Sequence, residues 1–218
     1  MQMLNKDKDK KSFSHSLFRT ESKNDKDFIV LNWHGQPIKE LALYAESYHC
    51  AAKKLVSVYG TTGALRDFEA APILFLYRHA FELYLKAFVQ IGSDILSLHG
   101  KVTISLKKIL NTHKLTEFIP DFEAIIKEVG WTWDMGIDGL RRKSDFVKLV
   151  REFETIDPSS FAFRYPTDKQ GNASLPHYFS FNLSTFAQKI DPLLATIDGA
   201  LTGLKELWNS AVEAANQE

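Results

Sequence analysis

The chain has 218 residues, 44% hydrophobic and 25% charged, with 27 Lys+Arg balanced by 27 Asp+Glu. That length allows one sizeable domain whose core needs no disulfide or metal, and the balance excludes a global basic excess, so any nucleic-acid contact has to be a local patch. The single cysteine, Cys50, has no partner for an intramolecular disulfide, and no Cys-x-x-Cys pair suggests structural zinc; a reducing, cytoplasmic setting is expected.

The opening MQMLNKDKDKKSF has no apolar stretch of the kind a signal peptide carries, and no uncharged apolar window of about 18 residues occurs further on, so neither secretion nor membrane spanning is expected. Residues 1–27 are rich in Lys, Asp, Ser and Asn and hold too few large apolar side chains to offset ordering entropy. A flexible polar tail is expected there, followed by one domain over residues 28–218.

FIVLNWHGQPI reads as an extended lead-in stopped by Gly35 and Pro37, and Pro37 suits a helix start. Leu41, Ala45, Tyr48, Ala52, Leu55 and Val56 then repeat helically over residues 38–59, with Gly60 as the stop. The most apolar helix begins near Arg66 or Pro72 and runs to Ile91, where Gly92 and Ser93 should end it. Within residues 94–111, LHGKVTISLKKIL suits a strand-like excursion or a short amphipathic helix after Gly100, and is read as the helix. Thr112 has the character of an N-cap for a helix through Leu115, Phe118, Phe122, Ile125, Ile126 and Val129, kinked or broken at Pro120. Residues 139–156 predict another helix, with Arg141, Arg142 and Lys143 in its first turns and Asp157-Pro158 as its end. FAFRYP and HYFSFNL, joined by TDKQGNAS, change period and predict a β-hairpin or an ordered loop near residues 161–182. Residues 184–214 return to helical spacing, with Pro192 either kinking the helix or opening its second half. Together these elements predict a mainly all-α, up-and-down bundle of about five helices with one small insertion.

Residues 71–91, APILFLYRHAFELYLKAFVQI, carry the chain's most informative contradiction. Arg78, Glu82 and Lys86 are successive i, i+4 neighbours, and His79 flanks them, so one stripe of an apolar helix is ionisable. Burying such groups costs several kcal/mol unless they are paired. The stripe is therefore either a catalytic or binding cluster in which Glu82 orients Arg78 and His79, or a self-satisfied structural network. Asn111-Thr112-His113 offers a second polar group, with His113 read as a solvated residue at a helix start ahead of a general base or a phosphate contact. FRYPTD offers a third: Arg164 between Phe163 and Tyr165, just ahead of Asp168, would stack on a base, clamp a phosphate, or reach back to Glu82. His113, Arg164 and Asp168 are thus the expected partners of the stripe.

Walker A, Gly-x-Gly-x-x-Gly, His-Glu-x-x-His and Gly-x-Ser-x-Gly patterns are all missing, and the seven histidines match no metal-ligand spacing, so no metal or cofactor is expected. Arg141, Arg142, Lys143, Lys148 and Arg151 form the densest basic cluster, read as a solvated helix face ahead of a phosphate-facing one.

YRHAFELYLKAFV, the later HKL and DPSSFAFRYPTD resemble uncharacterised bacterial proteins of the HEPN type, an all-helical class found among nucleotide-binding and RNase modules. The resemblance covers the architecture from about Pro37 onward. It implies a helical bundle that often dimerises, acting as a metal-independent endoribonuclease in toxin–antitoxin and anti-phage systems or as a non-catalytic binding module. RNA, an antitoxin or defence-system partner and a second copy are the partners it implies. Active ribonucleases of that class carry an Arg followed by a His after four to six residues, and no such pair occurs in this chain. Catalysis would need Arg78, His79, His113 and Arg164 assembled in space, a His taking the 2′-hydroxyl proton and an Arg stabilising the phosphorane charge, with Glu82, Lys86, Asn111, Tyr165 and Asp168 binding or orienting.

Overall fold

A computed structural model describes residues 29, 31, 35–62 and 67–215. Residues Gln36–Glu218 form one compact unit; of a second, Met1–Gly35, only Ile29, Leu31 and Gly35 are described, so the expected tail and nearly all of the lead-in lie outside the described residues. Among the described residues no helix is long and apolar enough to cross a membrane.

Among the described residues of the larger unit there are six helices: α1 (Leu41–Thr62), α2 (Asp67–Leu98), α3 (Leu106–Asn111), α4 (Ile119–Glu128), α5 (Lys143–Ile156) and α6 (Leu183–Ala215). Pro37–Glu40 and Leu115–Phe118 are single 3-10 turns leading into α1 and α4. The all-α bundle follows the apolar periodicity, and α2 is its axis. At 1.5 Å per residue its 32 residues span about 48 Å. From Tyr77 to Val89 every side chain except His79 is buried, because α1, α4 and α6 all pack against it. Asp191 on α6 ties three helices together: its Oδ1 lies 2.8 Å from His49 Nε2 on α1 and accepts from the Tyr77 hydroxyl on α2 at 3.0 Å. Burial and Asp191 together push the Tyr77 phenol above its ordinary value.

Several predicted boundaries move. The first helix runs through Gly60 to Thr62. Gly92 and Ser93 do not end α2, which continues to Leu98. A Cβ at Gly92 would lie 2.4 Å from Ile125, so the glycine is where α4 crosses close to α2. Thr112 caps the C-terminus of α3, its N–H bonding Lys108 O at 3.0 Å, and is not the start of the next helix. Pro120 falls in the first turn of α4, where its missing N–H costs nothing, so the segment breaks there into a 3-10 turn and an α-helix. The helix expected from Gly139 starts at Lys143, with Arg142 as its N-cap and the Asp145 carboxylate accepting from the Arg142 N–H at 3.0 Å. Pro192 lies inside one continuous α6.

Of the hairpin or ordered loop expected near 161–182, the loop is what forms. Its only ladder contact is a single antiparallel bridge between Thr167 and Ala173. Pro166 and Pro176 remove donors from either arm, and Tyr178 adopts φ +56°, so no strand pairing extends from the turn.

Candidate functional site

Glu82 is 1% exposed on the buried face of α2 and has more partners than its own helix provides. Its Oε2 accepts from Arg78 Nη1 at 3.1 Å, and its Oε1 lies 2.9 Å from Lys86 Nζ and 3.0 Å from His113 Nδ1. Burial alone would raise the carboxyl, but Lys86, then Arg78 and His113, hold it below the usual range. An ionised carboxylate only accepts, so His113 donates to Glu82 from Nδ1. The His113 side chain is 57% exposed, so this pair reaches from the core to solvent.

Arg78 is fully buried, and burial draws its guanidinium below its ordinary value against the opposing pull of Glu82, Asp157 and Glu154. Nη2 donates to the His113 carbonyl at 2.8 Å. Lys86, 5% exposed, also reaches the Leu110 carbonyl of α3 at 3.4 Å. The three-residue i, i+4 stripe thus holds the α3 end and the turn after it.

The other two expected partners of the stripe do not reach it. Arg164 makes no contact with Glu82; its Nε donates to Ser160 O at 2.7 Å, and its guanidinium carbon lies 5.5 Å from the Phe75 ring centre and 5.8 Å from those of Phe161 and Tyr165. Asp168 closes its own turn, its Oδ1 accepting from Gln170 N and Asn172 N at 2.9 and 2.8 Å. A buried carboxylate has room for few donors, and the nearer Lys86 and His113 fill it.

His79 stacks on Phe75 at 5.5 Å and meets the edge of Tyr48 at 4.6 Å. Burial first, with Lys86, Arg164 and Arg78 adding to it against the opposing pull of Glu82, keeps its imidazole below the ordinary histidine value. Tyr165 is 49% exposed and stacks on Phe161 at 4.4 Å. Asn111 is exposed at the end of α3.

Arg78, His79, His113 and Arg164 therefore do not converge on one cleft. They divide into a buried network with His113 at its mouth and a half-exposed platform of Arg164, Tyr165, Phe161, Phe75 and His79.

No family model, curated protein or solved structure matches the chain.

Sequence reasoning missed Phe75 and Phe161, which hold the platform, and Asp157, which is fully buried and caps the loop carrying it through Phe161 N at 2.7 Å and Ala162 N at 3.0 Å. Phe75 was within reach of the pattern, since Phe75, His79, Glu82 and Lys86 follow i, i+4, i+7 and i+11 along one face. Asp157 gave no such signal, because a residue before proline reads only as a helix end. In the basic cluster, Arg141 pairs with Asp134, Arg142 with Asp145 and Lys143 with Glu123, so three of its five charges already have carboxylate partners. Among the described residues no group of three or more His, Cys, Asp or Glu is placed to hold a metal ion.

Proposed function

We propose that this chain is an RNA-directed module of the HEPN kind that binds single-stranded RNA, the Arg164–Tyr165 platform supplying base stacking and charge and His113 a second contact. The observation that carries the reading is the exposed arginine held among three aromatic rings, with the Glu82-oriented His113 anchored about two turns farther along α2. Aromatic faces stack on any base and a guanidinium adds charge and cation–π attraction, which suits an unpaired strand. A local patch of this kind also suits a chain with no net charge.

Binding fits better than cleavage. Arg164 anchors on Phe75 and His113 on Glu82, and seven residues of helix separate those anchors by about 10 Å. One reacting phosphate needs its base and its charge stabiliser within about 3 Å. Arg78, fully buried, supports the site from beneath without touching a phosphate. If cleavage accompanies binding, His113 Nε2 is the group open to take a 2′-hydroxyl proton. On this reading the bacterial defence or toxin–antitoxin setting, the antitoxin partner and the second copy remain those that the resemblance implies.

The test measures binding of single-stranded RNA oligonucleotides at low and moderate salt, with cleavage of total RNA assayed in parallel. Arg164→Ala and Tyr165→Ala should each weaken binding roughly tenfold, the scale of one lost stacking contact. Undiminished binding by both variants would sink the proposal. The second reading, a non-enzymatic helical interaction protein, draws on the complete set of partners around Glu82, which needs no ligand to explain it. Failure of the wild type to bind RNA at low salt favours it.

A further inference from the structure

We propose that the cavity between α5, α6 and the loop over residues 161–182 binds a free aromatic α-amino acid, its ring held inside and its two charges at the mouth. The cavity shares no residue with the Arg164 platform, and the proposal stands apart from the RNA reading. Its volume is about 260 Å³. Pockets for small molecules start at roughly 300 Å³, so this one suits a single amino acid and is too small to enclose a whole nucleotide.

The wall of the cavity accounts for an aromatic alternation that no strand uses. FAFRYP and HYFSFNL place Phe163 on one arm of the loop and Phe179 and Phe181 on the other, and all three line the cavity with Phe153 of α5 and Phe186 of α6. Phe179 stacks on Phe181 at 5.4 Å, Phe181 meets Phe186 edge to face at 6.2 Å, and Phe186 meets Phe153 at 5.8 Å. These four rings form one continuous surface. Phe181 nevertheless stays 39% exposed and Phe179 half-buried, so ring area is left over for a further group to cover. A flat ring entering there meets edges and faces already in position, the geometry that aromatic pairs favour.

The mouth supplies the charges. Glu152 on α5 and Lys189 on α6 line the same cavity, both are exposed, and neither has an ion-pair or hydrogen-bond partner among the described residues. No other charged residue lines it. A purely anionic ligand would meet Glu152 as a like charge, and a purely cationic one would meet Lys189. An α-amino acid offers an ammonium to Glu152 and a carboxylate to Lys189 from the same carbon, and its side chain points away from both into the rings. Long side chains with solvated heads adapt to that spacing.

The experiment titrates the full chain with L-phenylalanine, with phenethylamine, which lacks the carboxylate, and with hydrocinnamate, which lacks the ammonium, following amide signals by NMR. L-phenylalanine should bind saturably and shift the Ser180, Phe181 and Phe186 signals. Each analogue should bind roughly threefold to fivefold more weakly, the scale of one exposed ion pair. Lys189→Met should weaken L-phenylalanine by the same factor and leave phenethylamine unchanged; Glu152→Gln should weaken L-phenylalanine and leave hydrocinnamate unchanged. Both side chains are exposed, so neither substitution endangers the fold. Phe181→Ala should weaken all three ligands. Absence of saturable binding by wild type overturns the proposal, as does equal binding of the three ligands, which would make the cavity a general apolar site. Shifts confined to other parts of the chain, or an affinity for L-phenylalanine that neither charge variant moves, overturn it too.

Discussion

Glu82 is where acid should first loosen the core network. Its carboxyl is held below the ordinary value of about 4.3, so it contributes stability above that pH and loses it as pH falls through the lower folded value. His79 acts earlier: the unfolded chain takes up a proton near pH 6.5 while the buried, cation-flanked imidazole resists it, so stability begins to decline below about 6.5. Urea unfolding midpoints across pH 3–8 should therefore show two declines. Glu82→Gln should flatten the lower one, and at pH 7 it should cost about 3–5 kcal/mol because it leaves Arg78 and Lys86 buried without their counter-charge. An unchanged slope below pH 4 would show that the carboxylate is not what acid attacks.

At the scale of elements, the helices were legible and their ends were not. Periodic Leu, Ile and Phe positions mark each long helix, because burial repeats with the helical turn. Gly92 misled because a glycine that ends a helix and one that admits a neighbouring helix look alike in one sequence. Its role is testable, since Gly→Ala in an open helix interior stabilises by about 1 kcal/mol. At Gly92 the added methyl meets Ile125 at 2.4 Å, so Gly92→Ala should instead destabilise by about 1–3 kcal/mol, and Ile125→Ala in the same chain should recover part of the extra loss. Thermal melting of Gly92→Ala, Ile125→Ala and the double variant checks the sign. Thr112 misled similarly: it suits a helix start, but the residues before it had already folded into α3, whose last turn uses its N–H.

At the scale of the whole molecule, rings from four helices and one loop meet around α2. Phe122 on α4 stacks on Phe88 at 3.8 Å and on Phe146 at 5.3 Å, and lies 6.0 Å from Trp133. Phe153 on α5 joins Phe81 on α2 to Phe186 on α6. Phe122→Ala should cost about 3–5 kcal/mol in urea unfolding, whereas Phe122→Leu, filling most of the space, should cost markedly less. Equal losses would mean that the ring's edge and face contacts, and not its volume, dominate. With 16 phenylalanines in the chain, an aromatic core fits its composition. The candidate site was half legible: local spacing exposed the Arg78–Glu82–Lys86 stripe and His113 was among its expected partners, but which of His113, Arg164 and Asp168 reaches Glu82 depended on where two loops fold back, which no local pattern encodes. One loop also bears a cost of its own. Ser160 adopts a left-handed backbone that glycine would take more cheaply, yet it supplies the carbonyl on which Arg164 rests. That carbonyl belongs to the main chain, so a variant library selected for heat resistance would be drawn toward glycine there and keep it, relieving the strain without giving up the contact that holds Arg164.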